Sequence, residues 1–151
     1  MKLLLLGKGQ WTVYAVCSGE ETCPILDFIT ELDPKRGSKV LSDLQQFVPF
    51  SEPQDWVRID MSWKLRGTED ILEFRWPTKK GGTPRVYWFY DEGRVVVCAC
   101  GDNKKGDTKQ EDIDAATSVR LNYFAAKQKN DLTVVTFEHF TASDDEEASN
   151  E

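Results

Sequence analysis

The stretch that decides the fold runs from residue 64 to residue 105. It begins Lys64-Leu65-Arg66-Gly67-Thr68-Glu69-Asp70-Ile71-Leu72-Glu73-Phe74-Arg75-Trp76 and passes through Pro77-Thr78-Lys79-Lys80-Gly81-Gly82-Thr83-Pro84. It then reads Arg85-Val86-Tyr87-Trp88-Phe89-Tyr90-Asp91-Glu92-Gly93-Arg94-Val95-Val96-Val97-Cys98-Ala99-Cys100-Gly101-Asp102-Asn103-Lys104-Lys105. Three runs rich in β-branched and aromatic residues stand here, at 71–76, 85–90 and 95–100. The links at 79–84 and 91–93 carry the Gly, Pro and Asp residues that reverse a chain between antiparallel strands. The pattern predicts a three-stranded antiparallel meander at the centre of the fold.

Charge distinguishes this meander from a plain core. Side chains alternate along a strand, so Ile71, Glu73 and Arg75 share one face while Leu72, Phe74 and Trp76 share the other. Arg85 heads the next strand, with Tyr87 and Phe89 on its face, and Lys104 and Lys105 are expected directly after the third strand. Two guanidinium forks and two ammonium groups gathered in one region suit a phosphate. The plain alternative is a set of solvated strand and loop cations.

The length of 151 residues fits one domain with a sizeable core. Hydrophobic content of 40% and five tryptophans place the chain among folded globular proteins. The leucine run at 3–6 is too short for a membrane span or a secretory core, so a cytoplasmic protein without a signal peptide is expected. Cys17, Cys23, Cys98 and Cys100 do not have zinc-framework spacing, and the single histidine, His139, lies far off in sequence. No metal or other cofactor is expected. Cys98 and Cys100 are read as reduced thiols on one face of a strand.

The formal net charge of −7 argues, taken whole, against nucleic-acid binding. The segment 143–151, however, holds five of the 26 acids and no base, leaving 19 bases against 21 acids in the body. Residues 64–109 carry ten bases and seven acids, so positive charge is local to the meander. We expect a single domain over 1–142 and a disordered acidic tail over 143–151.

Outside the meander, 11–18 alternates as a strand, and 3–6 forms a second one joined to it as a hairpin. Thr22 is expected to cap a helix with Pro24 in its first turn, carrying Ile25, Leu26, Phe28, Ile29 and Leu32 as its apolar stripe. A second helix is expected from about Pro34 to Phe47, completing an αα-hairpin that covers the sheet. Residues 56–63 read either as a short strand or as a packed connection. A helix capped by Asp107 or Thr108 is expected to run to about Lys127, with a further strand candidate at 132–140. The fold class is α+β: an N-terminal strand and αα-hairpin packed on an antiparallel meander, then a C-terminal helix and a possible extra strand.

With this order, Leu65-Arg66-Gly67, Leu72-Glu73-Phe74-Arg75, Arg85-Val86-Tyr87-Trp88-Phe89-Tyr90 and the strand ending in Lys104-Lys105 resemble the RelE/ParE toxin superfamily. The nearer likeness is to the phage-derived, HigB-like branch of type II toxin–antitoxin systems. It extends over about residues 11–127, with the specific motifs at 65–116. The resemblance implies a RelE-like fold and an mRNA endoribonuclease, usually ribosome-associated, restrained by a cognate antitoxin protein. It implies metal-free attack of an RNA 2′-hydroxyl on the adjacent phosphate. Arg75 and Arg85 are the expected phosphate clamp, and Lys104 and Lys105 the groups that neutralise developing charge. Tyr87, Lys79, Lys80 and Lys109 are expected to bind substrate, although Tyr87 reads equally as a core-facing aromatic. Two departures stand out. Cys100, with Asp102 at a nearby apolar position, occupies the place where such toxins often have histidine, and Gly106-Asp107-Thr108-Lys109-Gln110 lacks their usual Thr-Pro ending. The alternative is a catalytically inactive RelE-fold protein-binding module of phage or prophage origin, with the acidic tail lying over the basic patch. Gyrase inhibition, as in the ParE relatives, has no support in these residues.

Overall fold

The computed structural model describes residues 1–19, 22–46, 62–64, 70–76, 82–104 and 110–138. The elements are β1 (Lys2–Lys8), β2 (Thr12–Val16), α1 (Pro24–Glu31), α2 (Pro34–Gln46), β3 (Ser62–Lys64), β4 (Leu72–Arg75), β5 (Thr83–Asp91), β6 (Val95–Lys104), α3 (Gln110–Gln128) and β7 (Thr133–Val135). The strands form one mixed sheet in the order β3-β4-β5-β6-β2-β1-β7. The expected α+β plan holds, and the meander β4-β5-β6 is antiparallel as predicted. The hairpin β1-β2 joins it by a parallel pairing of β2 with β6. The candidate at 56–63 contributes the short edge strand β3, antiparallel to β4.

Each face of the sheet buries its own apolar set. Leu72, Phe74, Trp76, Val86 and Trp88 pack with Ile25 and Phe28 of α1, with Leu32 just after it, and with Val40 and Leu44 of α2. Phe74 and Trp88 stack at 4.5 Å between ring centroids, an arrangement worth about 0.5–1.5 kcal/mol beyond area burial. The indole N–H of Trp76 donates to Asp43 Oδ2 at 2.8 Å and ties α2 to β4. Gly7 permits the close approach of α2, since a Cβ there would lie 2.9 Å from the Gln45 carbonyl oxygen. On the opposite face Ile71, Tyr87, Phe89, Val97 and Ala99 pack with Ala116 and Tyr123 of α3. Helices therefore lie on both faces of the sheet, and α3 lies on the face that carries the arginines.

Several local expectations are corrected. The N-cap of α1 is Cys23, without a side-chain cap bond; the Thr22 hydroxyl donates to the Ser18 carbonyl instead. The expected strand at 85–90 begins earlier, at Thr83, and the one at 95–100 runs on to Lys104. Lys104 thus ends β6 rather than following it, because Thr83, Pro84 and Arg85 supply partners for Lys104, Asn103 and Asp102. The expected strand at 132–140 is reduced to the three residues of β7, parallel to β1 at the sheet edge.

Cys98 and Cys100 do not share a face. The ladder shifts register between Tyr87 and Trp88: Tyr87 pairs with Cys100 and Trp88 with Cys98, leaving Ala99 as the extra residue of a β-bulge. Such a bulge breaks strict alternation and re-aims the residues beyond it. Cys98 consequently joins the core beneath α1 and α2, while Cys100 packs toward α3.

The proposed boundary at 142, the acidic tail, His139 and the caps at 107–108 lie outside the described residues.

Candidate functional site

The registers of β4, β5 and β6 assemble a small lattice on the α3 side of the sheet. Glu73 pairs with Tyr87 and Tyr87 with Cys100; two residues along, Arg75 pairs with Arg85 and Arg85 with Asp102. Residues paired across antiparallel strands present their side chains to the same face, with Cβ atoms about 4.5–5.5 Å apart. Six chemically active side chains therefore occupy two rows of three.

Glu73 is the centre of this group. Its carboxylate is fully buried, and Oε1 contacts both Arg75 Nε and, at 3.5 Å, Arg85 Nε. A carboxylate out of water needs such partners, because its desolvation is otherwise costly. The two arginines differ in access. The side chain of Arg75 is 38% exposed and that of Arg85 only 4%.

Tyr87 is buried, and its hydroxyl donates to Asp102 Oδ2 at 2.9 Å. Burial, reinforced by the neighbouring Asp102 carboxyl, pushes the Tyr87 phenol well above its usual range. Asp102 is itself raised, chiefly by burial. The Tyr87 hydrogen bond acts the other way, and a side-chain contact with Asp112 of α3 reinforces the rise. The Cys100 thiol is pushed up to about 12 by burial and by the nearby carboxyls of Asp112 and Asp102. A thiol so shifted carries almost no thiolate near neutrality and is a poor proton shuttle.

Of the expected site residues, Arg75 and Arg85 are brought together, and Tyr87 lies on the same face of the sheet. Lys104 ends the strand that carries Asp102, and only its backbone is described. Lys79, Lys80, Lys105 and Lys109 lie outside the described residues. Sequence reasoning missed that Glu73 joins both arginines, although alternation already placed it beside Arg75. It also missed Asp102 and Asp112 as a pair, because the bulge at Ala99 decides which way Asp102 points. Among the described residues, no three or more His, Cys, Asp or Glu side chains are grouped to hold a metal ion. No helix among them is long and apolar enough to cross a membrane.

Helices on both faces of a mixed sheet built around an antiparallel meander are consistent with an α+β, RelE-like fold. The sequence model of the phage-derived protein Gp49-like family (DUF891) matches residues 27–129, and the chain belongs to that family, a RelE/toxin-like one. The matched span runs from α1 through α3, so β1, β2 and β7 lie outside it. No curated protein matches the chain.

Proposed function

We propose that this chain is a HigB-like toxin that cleaves mRNA in the cytoplasm and is held in check by an antitoxin protein, with the ribosome as the place where mRNA is presented. One observation supports this above the others: Arg75 and Arg85 converge on a single carboxylate beside Tyr87 instead of being scattered over the surface. In the reaction the RNA 2′-oxygen forms a bond to phosphorus, the bond from phosphorus to the 5′-oxygen breaks, and a cyclic phosphate and a 5′-hydroxyl result. Negative charge grows on the non-bridging oxygens, and fixed guanidinium donors stabilise it. Arg75, the more exposed of the pair, would meet phosphate first. Lys104 and Lys105 would neutralise developing charge, and Lys79, Lys80 and Lys109 would line the RNA path.

A second reading is favoured by a different observation. Arg85 is almost fully enclosed and Glu73 offsets the charge of the pair, as in a structural ion-pair cluster. A RelE-fold module that grips a protein without cutting RNA would need nothing more.

Induced expression of the intact chain beside Arg75→Ala separates the two, with growth and mRNA integrity followed together. Growth arrest with mRNA loss, both relieved by the variant, is the nuclease outcome. Intact mRNA on full induction of soluble, folded protein gives the binding module.

A further inference from the structure

Cys17 ends the N-terminal hairpin, Cys23 opens α1, and the backbone sets the two opposite each other. The Cys17 N–H donates to the Lys2 carbonyl at 3.0 Å, which carries the β1–β2 ladder one residue past Val16. One residue on, the Ser18 N–H donates to the Thr22 carbonyl at 2.9 Å. The Thr22 hydroxyl returns a hydrogen bond to the Ser18 carbonyl. Cys23 leaves this closure in an extended conformation, at φ −128° and ψ 110°. Cys17 and Cys23 are therefore the next pair outward from Ser18 and Thr22, as in an antiparallel ladder.

An opposed pair at a non-hydrogen-bonded position of such a ladder has Cα atoms about 4.5 Å apart. A disulfide spans roughly 4.4–6.8 Å. Both side chains turn into the apolar cluster beneath α1 and α2, and both thiols are free.

We infer that Cys17 and Cys23 are a dithiol that closes as a reversible disulfide and staples the N-terminal hairpin to the start of α1. The family match begins at residue 27, so the bond joins β2, outside the matched span, to the helix that opens it. The staple lies on the sheet face opposite the arginines and is independent of RNA cleavage.

The other cysteines are poorer partners. Cys98 shares the cluster, but across the parallel ladder it pairs with Ala15, two residues before Cys17. Diagonal neighbours stand farther apart than opposed ones. Cys100 belongs to the layer under α3.

The co-reactant is a low-molecular-weight disulfide such as oxidised glutathione. One thiolate of the pair attacks it, forming a mixed disulfide and releasing one glutathione thiol. The second thiolate then attacks the protein sulfur of that mixed disulfide and displaces the other glutathione. The protein gives up two electrons and two protons, and the reagent is reduced to two thiols. Burial raises both protein thiols, Cys17 to about 11. Exchange is therefore slow and proceeds when the exposed Ser18–Gly19 bend opens.

The test incubates the full, folded chain with excess oxidised glutathione, alkylates it in denaturant and maps the peptides. The count of free thiols is expected to fall from four to two per chain, with one peptide linked through Cys17 and Cys23. Reduction is expected to restore all four. Cys98→Ala is expected to keep the linkage and Cys23→Ala to abolish it. Four free thiols after prolonged incubation, glutathione adducts in place of the linkage, or a bond from Cys17 to Cys98 overturns the staple.

Discussion

Arg75 and Arg85 stand directly opposite each other across β4 and β5, and the buried carboxylate of Glu73 contacts both. Two like charges paired across strands repel each other. Glu73 offsets that repulsion from within the sheet, and it bears on any function assigned to either arginine.

Glu73→Ala removes the shared counter-ion and leaves Arg85 enclosed without it. Breaking a buried ion pair from one side costs about 3–5 kcal/mol. Denaturant unfolding is expected to show a loss of that order, whereas Arg75→Ala, at a half-exposed position, is expected to cost under about 1 kcal/mol.

Tyr123→Phe deletes the hydroxyl that donates to Asp91 at 2.7 Å. A hydrogen bond to a charged group contributes about 1.5–3 kcal/mol, and the melting temperature at pH 7 is expected to fall accordingly. Asp91 is lowered in the folded state, so its contribution is present above the ordinary aspartate range and lost as pH falls through the folded-state value. Asp91→Asn is therefore expected to flatten the acid limb of the stability profile.

Gly101→Ala places a Cβ 2.6 Å from Phe28 Cδ1 and 3.0 Å from the Arg85 carbonyl oxygen. Overpacking of this kind costs about 1–3 kcal/mol. Phe28→Leu in the same chain is expected to recover part of that loss, and a double-mutant cycle on unfolding free energies measures the coupling.

The four cysteines are free thiols. Burial pushes Cys17 up to about 11 and Cys100 to about 12, and raises Cys23 and Cys98 as well. A thiol-specific disulfide reagent at pH 8 is expected to label the native chain slowly and the denatured chain at once. Rapid native labelling would place at least one thiol in a more open setting than burial allows.

The sheet was legible where its pattern was strict. Period-two alternation in 71–76 assigned Glu73 and Arg75 to one face and Phe74 and Trp76 to the other, and each lies where alternation put it. The αα-hairpin followed from the stripe of Ile25, Phe28 and Leu32 and the break at Asp33-Pro34. What could not be read was set by contacts distant in sequence. Thr83 and Pro84 extend β6 to Lys104 by pairing with it, a fact absent from the local composition of Gly101-Asp102-Asn103. Asp112 meets Asp102 only because α3 crosses the meander, and no spacing rule on either segment predicts that.

The bulge at Ala99 changes the parity of β6. Before it, even-numbered residues such as Val96 and Cys98 belong to the α1–α2 layer; after it, the even-numbered Cys100 and Asp102 belong with α3. One strand thus carries two phases joined at a single residue. Removing Ala99 would regularise the strand and leave Asp102 opposite Arg85. Removing Gly101 would send the same carboxyl into the apolar layer around Phe28. In an alignment of related chains, a gap at the first position removes the buried Ala99 yet keeps the acid opposite Arg85, and a gap two residues later gives Arg85 a different neighbour.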